Sequence, residues 1–159
     1  MSHPVPHHDQ FASPVDPVPL VEATRGPIIE STHFGSFAIV DEHGTVLASA
    51  GDIASPMYAR STLKPLQLVA MLRAGLELPE DLLALSAASH SGAPVHQEGA
   101  TRILALHGHG PSALRNTVDL PYGATERNAH LRAGGAPSQL AQSCSGKHAA
   151  MVATCAHNG

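Results

Sequence analysis

The run from Ser61 to Gly75, Ser-Thr-Leu-Lys-Pro-Leu-Gln-Leu-Val-Ala-Met-Leu-Arg-Ala-Gly, constrains the fold more than any other part of the chain. Ser61 can cap a helix, Pro65 is tolerable only in an opening turn, and Gly75 stops the run, so the spacing predicts a helix of about four turns. Between Leu66 and Leu72 that helix is apolar nearly all round. A helix without a polar face belongs at the centre of a domain. Whatever this chain folds into must therefore supply cover on every side of it.

The neighbouring segments are candidates for that cover. Ile28-Ile29, Phe37 to Val40 and Thr45 to Leu47 are short β-rich runs, and Asp41-Glu42-His43-Gly44 reads as the turn between the last two, which together predict a β-meander. Pro79 to Ala87 reads as a short helix and Pro94 to Leu106 as an amphipathic one, with the polar stretch Ser89-His90-Ser91-Gly92 between them. Residues 108–135, rich in Gly and Pro, read mostly as loop, and a last helix starts around Ser143 to Gly146. Met1 to Leu20 holds five prolines, three histidines and no apolar period, so residues 1–20 are expected to be a disordered tail ahead of one domain over 21–159. Strands beside a buried helix with more helices after make an α+β fold, and the chain stops at Asn158-Gly159 before anything returns to the sheet.

Composition excludes several classes of function. Of 159 residues 43% are apolar, enough for a core, but only 3% are aromatic and Trp is absent, so platforms for stacking bases are poorly supplied. The net charge of -4, with unclustered basic residues, suits neither a phosphate backbone nor an anionic membrane surface. A small polar molecule is the expected partner. No apolar run reaches the roughly 18 residues of a membrane helix and the start of the chain lacks an apolar signal core, so a cytoplasmic location is expected. Cys144 and Cys155 fall on one predicted helix, about 16 Å apart along its axis, too far to form a disulfide or share a metal ion.

Of nine basic side chains seven are Arg, and the two lysines, Lys64 and Lys147, each follow a Ser or Cys by three residues. Lys can give up its proton when desolvated and Arg cannot, so both deserve a chemical reading. Residues three apart on a helix share a face, which lets the Lys64 amine reach the Ser61 hydroxyl. Burial and the positive end of the helix both disfavour an ammonium ion there, leaving a base for a serine nucleophile. The plainer reading makes Ser61 an N-cap. Ser89-His90-Ser91-Gly92 could relay a proton or hold an oxyanion; alternatively it is a capped loop with Ser89 or Ser91 as the cap and His90 exposed. Cys144 at a helix start beside Lys147 could be a metal ligand or reactive thiol, or simply a small buried apolar residue.

Taken together, Val21-Glu22-Ala23-Thr24-Arg25-Gly26, Arg60-Ser61-Thr62-Leu63-Lys64-Pro65-Leu66-Gln67, Ala88-Ser89-His90-Ser91-Gly92 and Cys144-Ser145-Gly146-Lys147-His148-Ala149 resemble the rhizobial-type L-asparaginases, or L-asparaginase II family. The resemblance runs from about Val21 to Gly159. It implies a serine β-lactamase-like fold, of which this chain would be the N-terminal portion, apparently truncated. It places the catalytic Ser-x-x-Lys pair on Ser61 and Lys64, and the second catalytic serine on Ser89, with Ser91 as the other choice. It further implies a zinc ion held by Cys144, Lys147 and a Cys downstream of this chain, and a second catalytic lysine with no counterpart here. Ala93 stands where the family has Glu, and Ala150 where it has Gly.

The expected activity is hydrolysis of L-asparagine to aspartate and ammonia. Ser61 is the expected nucleophile, Lys64 its base, Ser89 a proton relay and Arg60 a binding group for a substrate carboxylate, with a surface ion pair as the alternative for Arg60. A homodimer is expected at full length. Two other readings are weighed against this one. A penicillin-recognising serine acylase lacks support because no Ser-Asp-Asn occurs. An inactive fragment, at most a binding module, would lack catalysis altogether.

Overall fold

The computed structural model describes residues 18–159, which form two compact units divided between Tyr58 and Ala59. The first contains two antiparallel hairpins. Strand β1 (Val18–Arg25) pairs with β2 (Ile28–Gly35) around Gly26, whose φ of +61° suits a turn, and β3 (Phe37–Val40) pairs with β4 (Val46–Ala50). The expected turn lies between β3 and β4, where Asp41 Oδ1 accepts the backbone N–H groups of His43 at 2.9 Å and Thr45 at 2.8 Å.

Two expectations are corrected here. The strands are not one meander: no ladder joins β2 to β3, between which only Ser36 stands, too short a link for a hairpin turn. Of the tail expected over 1–20, residues 1–17 lie outside the described region, and Val18 to Leu20 form the start of β1, where Val18 and Pro19 pair with Gly35 and Phe34.

The second unit is helical. A 3₁₀ turn (Arg60–Leu63) runs into α1 (Lys64–Arg73), followed by α2 (Glu80–Ala87), α3 (Pro94–Leu106), a short 3₁₀ turn (Pro111–Ala113), α4 (Ala124–Arg132) and α5 (Ser145–Asn158). The helices expected after Pro79 and Pro94 stand where the sequence placed them. Residues 108–135 are mostly loop as expected, but nine of them form α4, which was not foreseen. The sequence of α4, Ala-Thr-Glu-Arg-Asn-Ala-His-Leu-Arg, has no apolar period and none of its residues is buried, so it carries none of the usual helix signal. Among the described residues no helix is long and apolar enough to cross a membrane.

The centre of this unit is not α1. Helix α1 buries one stripe at helical spacing, Lys64 and Met71 fully and Gln67 and Leu68 in part, while Leu66, Val69 and Leu72 are exposed. Its packing within the unit is to α2 and α5 along that stripe, so being apolar on every face did not enclose it. The buried pair is α3 and α5, where Ala100, Ile103 and Leu104 meet Ala149, Ala150 and Ala153. Leu82 and Leu85 of α2 close this core.

Small residues set the spacing. A Cβ on Gly99 would lie 2.6 Å from Leu85 Cδ2, and one on Gly146 would lie 2.7 Å from Leu85 Cγ and 2.8 Å from its carbonyl oxygen. Leu85 is thus seated between a glycine of α3 and a glycine of α5. The Gly146→Ala substitution should lower stability by about 1–3 kcal/mol, because the neighbour that must yield is backbone. Gly110→Ala, at a φ of -112° with nothing near its Cβ, should change it by less than about 0.5 kcal/mol. Urea unfolding followed by far-UV circular dichroism measures both.

Candidate active site

The helical period of α1 turns its first residue, Lys64, inward, and the side chain is only 3% exposed. Its amine donates to the carbonyl oxygen of Ala88 and to Ser89 Oγ, each at 2.8 Å. Lys64 therefore ties the start of α1 to the end of α2, and the lysine and second serine singled out in the sequence are brought together. Ser61 lies one turn earlier, in the 3₁₀ turn, where residues three apart stack on the same side. Its carbonyl accepts the Lys64 backbone N–H, but among the described residues its hydroxyl is in no hydrogen bond. Arg60 is exposed and in no ion pair among the described residues, and its φ of +47° is strained for a long side chain.

The segment after Ala88 is held from within. His90 is 6% exposed, so the exposed histidine of the loop reading is corrected. Its backbone N–H donates to Ser143 O at 3.1 Å, and its Nδ1 accepts the Gly92 N–H at 3.2 Å. An acceptor at Nδ1 places the ring proton on Nε2, which donates to Ser145 Oγ at 3.1 Å. Gly92 has a φ of +83°, and a Cβ there would lie 2.8 Å from Ala141 O, so only glycine fits. Ser91 accepts the Gly123 N–H through its carbonyl at 2.8 Å. Neither Ser89 nor Ser91 caps α3, whose N-cap position is Ala93.

Beside this segment is an open cavity of about 440 Å³ walled by Asp81, Ser89, His90, Ser91 and His96, large enough for a small amino-acid-sized molecule. Asp81 is paired with Arg102 at 3.0 Å. His96 stacks on His90 with ring centroids 4.9 Å apart. Ser61 is not in this wall.

Cys144 stands at the N-cap position of α5, partly buried, with Lys147 one turn on. Among the described residues no group of three or more His, Cys, Asp or Glu side chains could hold a metal, and Cys155 is exposed toward the far end of α5. Two donors do not make a zinc site, which needs three or four protein ligands. The residues described do not fit the ion on their own.

Reading the sequence missed Ser145 and the inward role of His90. Their signal was present only as Ser145 inside the Cys144 to Ala149 block, because a contact between residues 55 apart has no local pattern.

Burial, then the charges of His96 and Lys64, push His90 down from 6.5 to about 4. His148 is lowered as well, by burial and then by Lys147 and Lys64. Between pH 6.5 and 4 the unfolded chain thus binds a proton at His90 that the folded chain refuses, so this stabilisation is present above 6.5 and is lost as pH falls toward 4, with His148 acting in the same direction. Unfolding free energy should be lower at pH 5 than at pH 7, and His90→Gln should shrink the difference.

The L-asparaginase II family model matches residues 21–159. No curated protein matches the chain. The match spans both hairpins apart from the first three residues of β1, and the whole helical unit, including Lys64, Ser89 and the first turn of α5, which makes an asparaginase-type amidohydrolase function the one supported at family level. The chain belongs to the L-asparaginase II family.

Proposed function

We propose that this protein hydrolyses L-asparagine to L-aspartate and ammonia on a serine β-lactamase-like scaffold. Ser61 Oγ attacks the side-chain amide carbon, and Lys64 Nζ takes the hydroxyl proton. The C–N bond then breaks, the leaving nitrogen receives a proton through Lys64 and Ser89, and ammonia departs. Water next attacks the Ser61 ester, releasing aspartate and restoring the hydroxyl. Arg60, exposed beside the nucleophile, is suited to bind a substrate carboxylate in two parallel hydrogen bonds.

The observation that carries this reading is the buried Lys64 amine on Ser89 Oγ. A lysine placed for charge alone would be met by a carboxylate, and among the described residues Lys64 has none. Its acceptors are a carbonyl and a hydroxyl, which use two of the three positions on nitrogen and leave one to exchange a proton with Ser61.

A second reading of the same site makes Ser89 the nucleophile, because Ser89 is the hydroxyl that touches the amine and faces the cavity. Trapping the acyl-enzyme with a slowly turned-over amide or ester and mapping the labelled peptide separates the two. The expected label is on Ser61, and a label on Ser89 would exchange the roles.

Ser61→Ala and Lys64→Ala should each cut asparagine hydrolysis by about 10²–10⁴-fold. Lys64→Arg should be nearly as damaging, because a guanidinium stays protonated. Ammonia release is the readout, with circular dichroism to confirm folding. A folded Lys64→Arg protein with normal activity would remove Lys64 from the mechanism.

A further inference from the structure

Ser89 is exposed, and its link to Lys64 holds only if the backbone around it stays in place. Ala88 is extended, at φ -98° and ψ 160°, so successive side chains alternate in direction. Ser89 turns to the amine and His90 turns to the interior. His90 then closes three tethers: its N–H on Ser143 O, the Gly92 N–H on its Nδ1, and its Nε2–H on Ser145 Oγ. Ser145 is wholly buried, is the first residue of α5, and adjoins Gly146, which packs on Leu85. Through these bonds, the segment carrying Ser89 is registered against the rigid start of α5.

We propose that His90, through its Nε2–H bond to Ser145, is the positioning residue that holds Ser89 Oγ on the Lys64 amine. The proposal rests on the reading of Lys64 and Ser89 as a proton-exchanging pair. His90 touches neither substrate nor amine in this role; it acts through the chain between Ala88 and Gly92. The ionisable groups around it are Lys64 from α1, Asp81 from α2 and His96 from α3, while α5 presents the uncharged Ser145. A proton added at Nδ1 would set a donor against the Gly92 N–H and open the tether.

Two substitutions divide the tethers. In His90→Asn the shorter side chain can still accept the Gly92 N–H, as in an Asx turn, but it loses Ser145. In His90→Gln the amide still reaches Ser145 but gives up the Gly92 bond. Because the chain has only two lysines, isotope-labelled lysine gives two side-chain NMR signals, and Lys147→Arg assigns the one from Lys64.

The expected result is that Ser145→Ala and His90→Asn both move the Lys64 signal toward its position in Ser89→Ala. They should also lower kcat about 10- to 100-fold with KM nearly unchanged, His90→Gln should retain more kcat than His90→Asn, and the double variant should be no worse than the worse single one. A Lys64 signal unmoved by Ser145→Ala, or additive kcat losses, would overturn the proposal. Ser145→Ala removes only a hydroxyl, so it decides the matter if His90→Asn does not fold. If the Lys64 signal moves as expected while Lys64→Arg stays active, the positioning stands and the reading of Lys64 as base fails instead.

Discussion

Helices α2, α3 and α5 approach closely because two of them present glycine to the same leucine. Leu85 occupies the space that a Cβ on Gly99 or Gly146 would take, and a leucine held on both sides cannot slide along either helix. That contact sits less than one turn before Ala88, so it fixes where α2 ends and where the Ala88 carbonyl and Ser89 hydroxyl emerge. The chemistry then inherits the precision of the packing. Were α2 free to shift by even half a residue, about 0.8 Å, Lys64 would lose the 2.8 Å acceptors that make its burial tolerable.

Lys64 in turn shows a site breaking the rules that govern the rest of the fold. An apolar residue in its place on the buried stripe of α1 would satisfy packing without any need for acceptors. The lysine is met instead by two oxygen atoms positioned by another helix, and the 3₁₀ turn before it carries a strained Arg60 next to Ser61. Departures of this kind from local preference are expected where function, rather than stability, chose the residues.

The sequence disclosed elements wherever a local signal coincided with the tertiary role. Pro94 opens α3 and the stretch to Leu106 carries a clean apolar period; Asp41 and Gly44 make their turn from side-chain and backbone bonds within five residues. It misled where the two parted. The apolar surface of α1 suggested enclosure, but which faces of a helix are covered depends on partners far along the chain. Strand β1 was hidden by Pro19 and its short alternation, though Val21-Glu22-Ala23-Thr24 before Gly26-Pro27 does carry the period of a strand. Helix α4 was hidden because it buries none of its residues. In the site, the motif spacing pointed to Ser61 and Lys64 as a pair, whereas the amine is bonded to Ser89, which lies 25 residues on.

The charge pattern of the site bears on what can enter it. His90 and His96 line one cavity, Lys64 is bonded to Ser89 of its wall, and the cavity's carboxylate, Asp81, is already engaged by Arg102. His90 is held neutral by burial and by the charges of His96 and Lys64, and each cation added nearby would make the next harder to form. The cavity wall therefore offers imidazole and hydroxyl groups, with its one carboxylate already paired. A neutral polar group can be seated there without displacing a counter-ion. The guanidinium of Arg60 is exposed instead and forms no part of this wall. An anionic group drawn further in would favour protonation of His90, and the tether at Nδ1 that orders the Ser89 segment would then oppose its entry.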